Sequence, residues 1–253
     1  MKNIFRIQYA SNLNLNKACL KTVVQSIKPC APTLALLGDI GTPECERTEH
    51  FMKWCDSNYE KVYWVPGFLE LSDTEDKKHT WVERYDYCLH KIGDWNLKNV
   101  TFCSKQEIHI SNPDIQLLLT TLWHPTQHAL YMPSNNGPRP MNKDDFKIVM
   151  NTEYSWILRK SSVSSKPVVW LTYSSPYTDQ INVKMPLFMS TYIHPMLRRT
   201  RATKLHYPNL LCSLHGYSEV AQSYSGGTPW TSVNMGGHSG FIKNAFWEYS
   251  ELK

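Results

Sequence analysis

Asp39 is the residue whose setting most clearly permits chemistry. Leu34-Ala35-Leu36-Leu37 reads as a buried strand and Gly38-Asp39-Ile40-Gly41 as the tight loop after it, so one carboxylate is delivered to a strand's carboxyl end. A carboxylate there can ligate a divalent cation or carry a proton. Ten histidines could supplement it, yet none has a metal-binding spacing. His124 and His128 are four apart, but Pro125 and the loop-like composition around them argue against a shared helix face. His215 precedes Gly216, and His238 follows Gly236-Gly237 and reads as a surface or capping residue. No H-E-x-x-H, P-loop, G-x-S-x-G or zinc-ribbon pattern occurs.

Seven cysteines form no C-x-x-C pair, and their odd number leaves at least one thiol unpaired, which fits a reducing compartment. Met1-Lys2-Asn3-Ile4-Phe5-Arg6 has no apolar run of signal-peptide length, and nothing later approaches the roughly 20 apolar residues of a membrane span. A cytoplasmic protein, or one within an assembly formed in cytosol, is expected. The net charge of +5 does not by itself indicate nucleic-acid binding. Arg198, Arg199, Arg201 and Lys204 form the densest basic cluster, either a solvated face or a contact for an anionic partner or phosphate-bearing ligand.

The elements that would position these residues follow a repeating rhythm. Ile4 to Tyr9 reads as a strand and Asn16 to Ile27 as a helix. Thr33 to Leu37 and Lys61 to Val65 are strands, each followed by a loop and then a helix, over Glu44 to Cys55 and Thr74 to Lys91. Three successive strand–loop–helix units predict an α/β core with parallel pairing, where ligands gather at the carboxyl ends of strands. From Leu97 shorter runs, Val100 to Cys103, Glu107 to Ile110 and Ile115 to Thr121, predict antiparallel strands and hence a mixed sheet system. His124 to Lys143 reads as a long surface loop and Phe146 to Leu158 as a helix. Val168 to Thr172, Leu210 to Leu214, Trp230 to Asn234 and Phe241 to Tyr249 complete the strands.

The strand-end loops are Ser11-Asn12-Leu13-Asn14-Leu15, Gly38-Asp39-Ile40-Gly41, Pro66-Gly67-Phe68-Leu69-Glu70, Thr172-Tyr173-Ser174-Ser175-Pro176 and His215-Gly216-Tyr217-Ser218-Glu219. Their order and spacing resemble the calcineurin-like metallophosphoesterases, which carry D-x-H, G-D, G-N-H-D/E, a lone His after a strand, and G-H-x-H. The likeness runs over nearly the whole chain. It implies a single domain over 1–253 with a loop insertion around 124–145, built as a four-layer α/β/β/α sandwich of two mixed sheets flanked by helices.

In that family two metals roughly 3.5 to 4 Å apart share a carboxylate and a hydroxide that attacks phosphorus. Position by position, the resemblance places Asn12 and Asn14 at the first Asp and His, and Asp39 at the bridging carboxylate. Phe68 stands at the amide ligand, Leu69 at the catalytic His, Tyr173 at the lone His, and Tyr217 and Glu219 at the last pair. A phenyl ring and an alkyl group offer no lone pair, and a neutral tyrosine is a poor ligand because its pKa near 10 must first be overcome. The set Asn12, Asn14, Asp39 and Glu219 is all oxygen and would suit one hard cation, Mg, Mn or Ca, if it holds any.

The resemblance therefore implies a phosphoesterase scaffold that is catalytically inactive and serves as a binding or structural component. Two other readings stand beside it: a weak single-metal phosphoesterase using the all-oxygen set, and a metal-free anion binder using helix N-termini near Asn12 and Gly41 with Arg198 or Arg199. Phe68, Leu69, Tyr173 and Tyr217, with Trp230, are expected to converge on the cleft. They would either fill it or present an apolar patch to another protein.

Overall fold

The computed structural model describes residues 4–73, 79–123, 130–166 and 168–174, and beyond them the backbone of five strands. The chain begins with the parallel units that the sequence predicts. Strands β1 (Ile4–Ala10), β2 (Thr33–Leu37), β3 (Lys61–Val65) and β4 (Val100–Phe102) run parallel in that order. Two antiparallel strands, β14 (Phe246–Ser250) and β13 (Gly227–Trp230), extend this sheet beyond β1. Here the sequence reading needs one correction: Val100–Phe102 pairs in parallel with β3, because the helix before it returns the chain to the same edge.

A second six-stranded sheet follows the order β12 (Tyr217–Val220), β11 (Leu210–Leu214), β10 (Leu187–Tyr192), β9 (Val168–Ser174), β6 (Asp114–Thr120) and β5 (Gln106–Ser111). Its centre is parallel and both edges are antiparallel, so each sheet is mixed. Strand β10 was not read from the sequence. Tyr217–Val220 is a strand where a loop was expected, paired with β11.

Alternation along the strands decides what each face meets. Ile7, Tyr9, Ala35, Leu37, Tyr63 and Val65 of the first sheet share a buried cluster with Ile115, Leu117, Leu119, Val169, Leu171 and Tyr173 of the second, so these faces pack together. Intervening residues Leu34, Leu36, Val62 and Trp64 join a separate cluster with Val23 of α1 (Leu20–Ser26), Phe51, Met52 and Cys55 of α2 (Glu46–Asn58), and Cys88 of α4 (Trp81–Asp94). Both faces of β2 are consequently apolar and fully buried, which is why it reads as an unbroken apolar run.

A short helix, α3 (Phe68–Leu71), follows β3 at once, and the long helix after it begins only at Trp81, where Thr80 and Glu83 form a reciprocal N-terminal cap. Residues 130–143, read as loop, contain a small hairpin of β7 (Tyr131–Met132) and β8 (Arg139–Pro140). Helix α5 (Lys143–Ser162) is longer than its periodicity suggests because Asn142 caps it, its side chain accepting from the amides of Asp144 and Asp145. Among the described residues no helix is long and apolar enough to cross a membrane.

Helix α5 meets the outer face of the second sheet through Glu153. Its buried carboxylate accepts from Thr120 Oγ1 at 2.7 Å, from the Leu122 amide at 2.6 Å and from Trp123 Nε1 at 2.9 Å. Burial pushes this carboxyl above its ordinary pKa, against these hydrogen bonds. Glu153→Ala leaves three buried donors without an acceptor and should destabilise the protein by about 3 kcal/mol, whereas Glu153→Gln, which keeps one acceptor, should cost about 1 kcal/mol, both measured by urea unfolding.

Candidate functional site

The carboxyl ends of β1, β2, β3 and β9 converge, and the loops after the first three are stitched together by backbone hydrogen bonds. The Asn12 amide donates to the Gly38 carbonyl at 3.0 Å, Asn14 to Asp39 at 3.0 Å, and Leu15 to Ile40 at 2.8 Å. Asn12, Asn14 and Asp39 all lie in the left-handed region, with φ of 53°, 47° and 54°. Asn and Asp tolerate that region better than other residues bearing a Cβ. The two amides at 12 and 14 thus have a backbone reason to be there, whatever else they do.

Asp39 is half-buried and both of its oxygens are engaged. Oδ1 accepts from the Leu69 amide at 2.9 Å, and Oδ2 accepts from the Tyr173 hydroxyl at 2.8 Å. The tyrosine reaches across from the second sheet, so this contact joins the two sheets at their functional ends. Its ring lies on the glycines of both loops. A Cβ on Gly38 would stand 2.2 Å from Tyr173 Cδ2, and one on Gly67 would stand 2.9 Å from Tyr173 Cε2 and 2.6 Å from Asp39 Oδ1. Gly38 also has a φ of 76°, so both spacing and conformation exclude a side chain there.

The residue that holds this arrangement was not singled out in the sequence. Glu70, fully buried, accepts from the amides of Asp39 at 3.0 Å, Ile40 at 2.7 Å, Gly41 at 3.4 Å and Gly67 at 2.8 Å. Its spacing from Gly67, three residues into a helical turn, was the available signal. Behind it, Arg84 of α4 donates to the Glu70 carbonyl at 3.4 Å and pairs with Glu44 through both terminal nitrogens. Burial works against ionisation of Glu44, but the hydrogen bond and charge of Arg84 outweigh it and hold the carboxyl below its usual range.

Of the residues singled out in the sequence, Asn12, Asn14, Asp39, Phe68, Leu69 and Tyr173 belong to these converging strand ends. The side chains of Tyr217, Glu219 and Trp230, and all of Arg198, Arg199, Arg201 and Lys204, lie outside the described residues, as do His124, His128, His215 and His238. Phe68 and Tyr173 do not form an exposed patch: they are 1% and 3% exposed. Phe68 meets Tyr173 edge-on at 5.2 Å and packs with Trp123 at 5.8 Å and Phe146 at 6.3 Å. Among the described residues these rings complete the filled floor.

The anion-binding reading also changes. The amides of Asp39, Ile40 and Gly41 that would receive an external anion already hold the Glu70 carboxylate. Helix α1 starts at Leu20, beyond the Asn12 loop, so no helix N-terminus stands at Asn12. Among the described residues no group of three or more His, Cys, Asp or Glu is placed to hold a metal ion.

Burial, and secondarily the charge on Asp39, push the Glu70 carboxyl up to about 7, against its backbone hydrogen bonds. A carboxyl raised above its unfolded value stabilises the fold most while protonated. That contribution is complete below the ordinary glutamate range and disappears as pH rises through about 7. The penalty of Glu70→Gln, measured by urea unfolding, should therefore be larger at pH 5 than at pH 8, by roughly 2 to 3 kcal/mol. A penalty that grows with pH would show that the four amides favour the charged form strongly enough to reverse the sign.

No family model matches the chain. Over 163 residues, 58% of its length, it is 24% identical to the uncharacterized protein L509 of Acanthamoeba polyphaga mimivirus, and the match spans 57% of that protein. The crystal structure of the phosphopantetheinyl hydrolase PptH from Mycobacterium tuberculosis is similar over 67% of this chain and 68% of that one, with 16% identity and a TM-score of 0.48.

Proposed function

We propose that this chain is a metallophosphoesterase-like scaffold, a four-layer α/β/β/α sandwich, that does not hydrolyse phosphoesters and acts as a binding or structural component. The observation that carries this reading is the Tyr173 hydroxyl on Asp39 Oδ2. A carboxylate that bridges two cations must leave the lone pairs of at least one oxygen open to them. Here one faces a phenol O–H and the other a backbone N–H, both neutral donors.

The neighbouring side chains do not fit a pair of cations either. Phe68 is packed among rings and supplies no lone pair, and Tyr173 uses its hydroxyl hydrogen on Asp39. Leu69 contributes its amide, whereas its side chain can neither give nor take a proton. With Phe68 and Tyr173 buried, a protein partner would meet another surface of the molecule than the floor of this cleft. The compartment in keeping with its free thiols is a reducing one.

After exposure to excess Mn²⁺ or Ca²⁺ and desalting, the protein should retain less than one ion per chain and show no turnover of a bis-aryl phosphodiester. Two ions per chain, or turnover that disappears in Asp39→Asn, would overturn the proposal. A single retained ion together with such turnover would select the all-oxygen set of Asn12, Asn14, Asp39 and Glu219. Tyr173→Phe, which strips Asp39 Oδ2 of its donor, should cost about 1 to 3 kcal/mol in stability without creating activity.

A further inference from the structure

The second sheet ends at β5, which bonds to β6 on one side only. Strands β10 to β12 extend the same sheet from β9, at the opposite edge. Along the six residues of β5 every second one therefore turns its amide and carbonyl away from the sheet. Among the described residues none of these outward groups meets a backbone or side-chain partner. An open ladder of this kind is a template for another strand.

Helix α5 approaches this edge over the outer face of the sheet. Glu153 meets Thr120 at the end of β6, and farther along the helix Lys160 Nζ reaches Glu107 Oε2 of β5 at 2.6 Å. Thr152, Ser155, Trp156 and Arg159 recur at helical spacing and so share one side of α5. Together with Lys105, the residue before β5, they line a cavity of about 570 Å³. Lys105 and Thr152 also line a neighbouring cavity of about 280 Å³, which carries the groove on to Trp81 and Tyr85 of α4. Because Lys105 adjoins β5 and Lys160 touches it, the groove lies beside the open ladder.

The lining supplies donors without matching acceptors. Lys105 and Arg159 are exposed, and neither has an ion-pair partner among the described residues. Trp156 is half-buried, and its Nε1 has no hydrogen-bond partner among them either. Nearby lysines differ: Lys160 pairs with Glu107, Lys147 with Asp144 and Lys166 with Asp114. The carboxylate that lines the groove, Glu153, gives its oxygens to Thr120, Leu122 and Trp123. Two cations and an indole N–H around one space select a ligand that brings anionic acceptors. The ladder of β5 narrows the choice, because only another extended backbone presents amides and carbonyls at strand spacing.

We propose that this surface binds an extended acidic peptide of a partner protein, added to β5 as a further strand, with its carboxylates on Lys105 and Arg159 and apolar side chains against Trp156. Main-chain hydrogen bonds supply affinity, and the two cations supply selectivity. The site is separate from the Asp39 cleft, so it stands whether or not that cleft holds metal. A nucleic acid would meet the cations and leave the ladder of β5 unused. A second copy of the chain would bring the same unpaired cations to the contact, and its net charge of +5 opposes the encounter.

The probe is a fluorescein-labelled nonapeptide that alternates glutamate with valine and ends in an amide, titrated with the full chain by fluorescence anisotropy at about 0.1 M salt. It should bind saturably with a Kd below about 0.1 mM. Lys105→Glu and Arg159→Glu, at exposed positions where the thermal melt should not move, should each weaken binding about fivefold or more. The same peptide methylated on every second amide nitrogen, made in both phases, separates strand addition from charge alone. The phase whose nitrogens face β5 loses the ladder and should bind about tenfold or more weakly. Absence of saturation by about 1 mM, or binding of both methylated phases equal to that of the parent peptide, would overturn the proposal. So would tighter binding of a fluorescein-labelled oligothymidylate that the same two variants abolish, or a dimer in sedimentation velocity that excludes the peptide.

Discussion

The architecture of the site depends on one buried carboxylate. Glu70 gathers amides from two loops, Asp39, Ile40 and Gly41 after β2 and Gly67 after β3, and so fixes the distance between two parallel strands where their pairing ends. Four buried or part-buried amides converge on this single group, and without it they would have no acceptor. The two loops are thereby held to each other by hydrogen bonds within the protein. Arg84 and Glu44 extend the same support outward to α2 and α4.

That solution carries an electrostatic cost. Asp39 and Glu70 are adjacent carboxyl groups, and the charge of Asp39 opposes ionisation of Glu70. A site with cations between its carboxylates relieves such repulsion by coordination. Here the relief has two other sources: the Tyr173 hydroxyl and Leu69 amide that solvate Asp39, and the upward shift that lets Glu70 take up a proton near neutrality. The tyrosine also contributes packing, since its ring meets Phe68 edge-on and rests on two glycines that must remain bare for it.

Much of the framework was legible in the chain because periodicity reports burial. Leu34 to Leu37 is apolar on both faces because helices cover one and the second sheet the other, and such a run can be recognised without a partner. Pairing partners are not local information. Val100 to Phe102 looked like the start of an antiparallel set, although it closes the parallel one, and only the return path through α4 decides that. The site was half legible for the same reason. Asp39 announces itself by following a strand, but its hydroxyl donor lies 134 residues away, and nothing near Tyr173 in sequence says which carboxylate it meets. Glu70 escaped notice because a glutamate within a short helical turn ordinarily reads as a cap or an exposed charge, and its burial follows from the packing of Arg84 and Cys88 behind it.

The filled cleft changes where new chemistry can reside. Asp39 and Glu70 each accept several internal hydrogen bonds, and Phe68 and Tyr173 are sealed by packing, so a ligand arriving at this floor would have to break contacts that hold two sheets together. The Asn16–Ala18 loop that accepts from Arg47 also receives the Thr42 amide on Asn16 Oδ1, at 2.8 Å. Arg47 and Thr42 thus tie the Asn16–Ala18 loop to the start of α2, on the far side of the Asp39 loop from the two sheets' shared core.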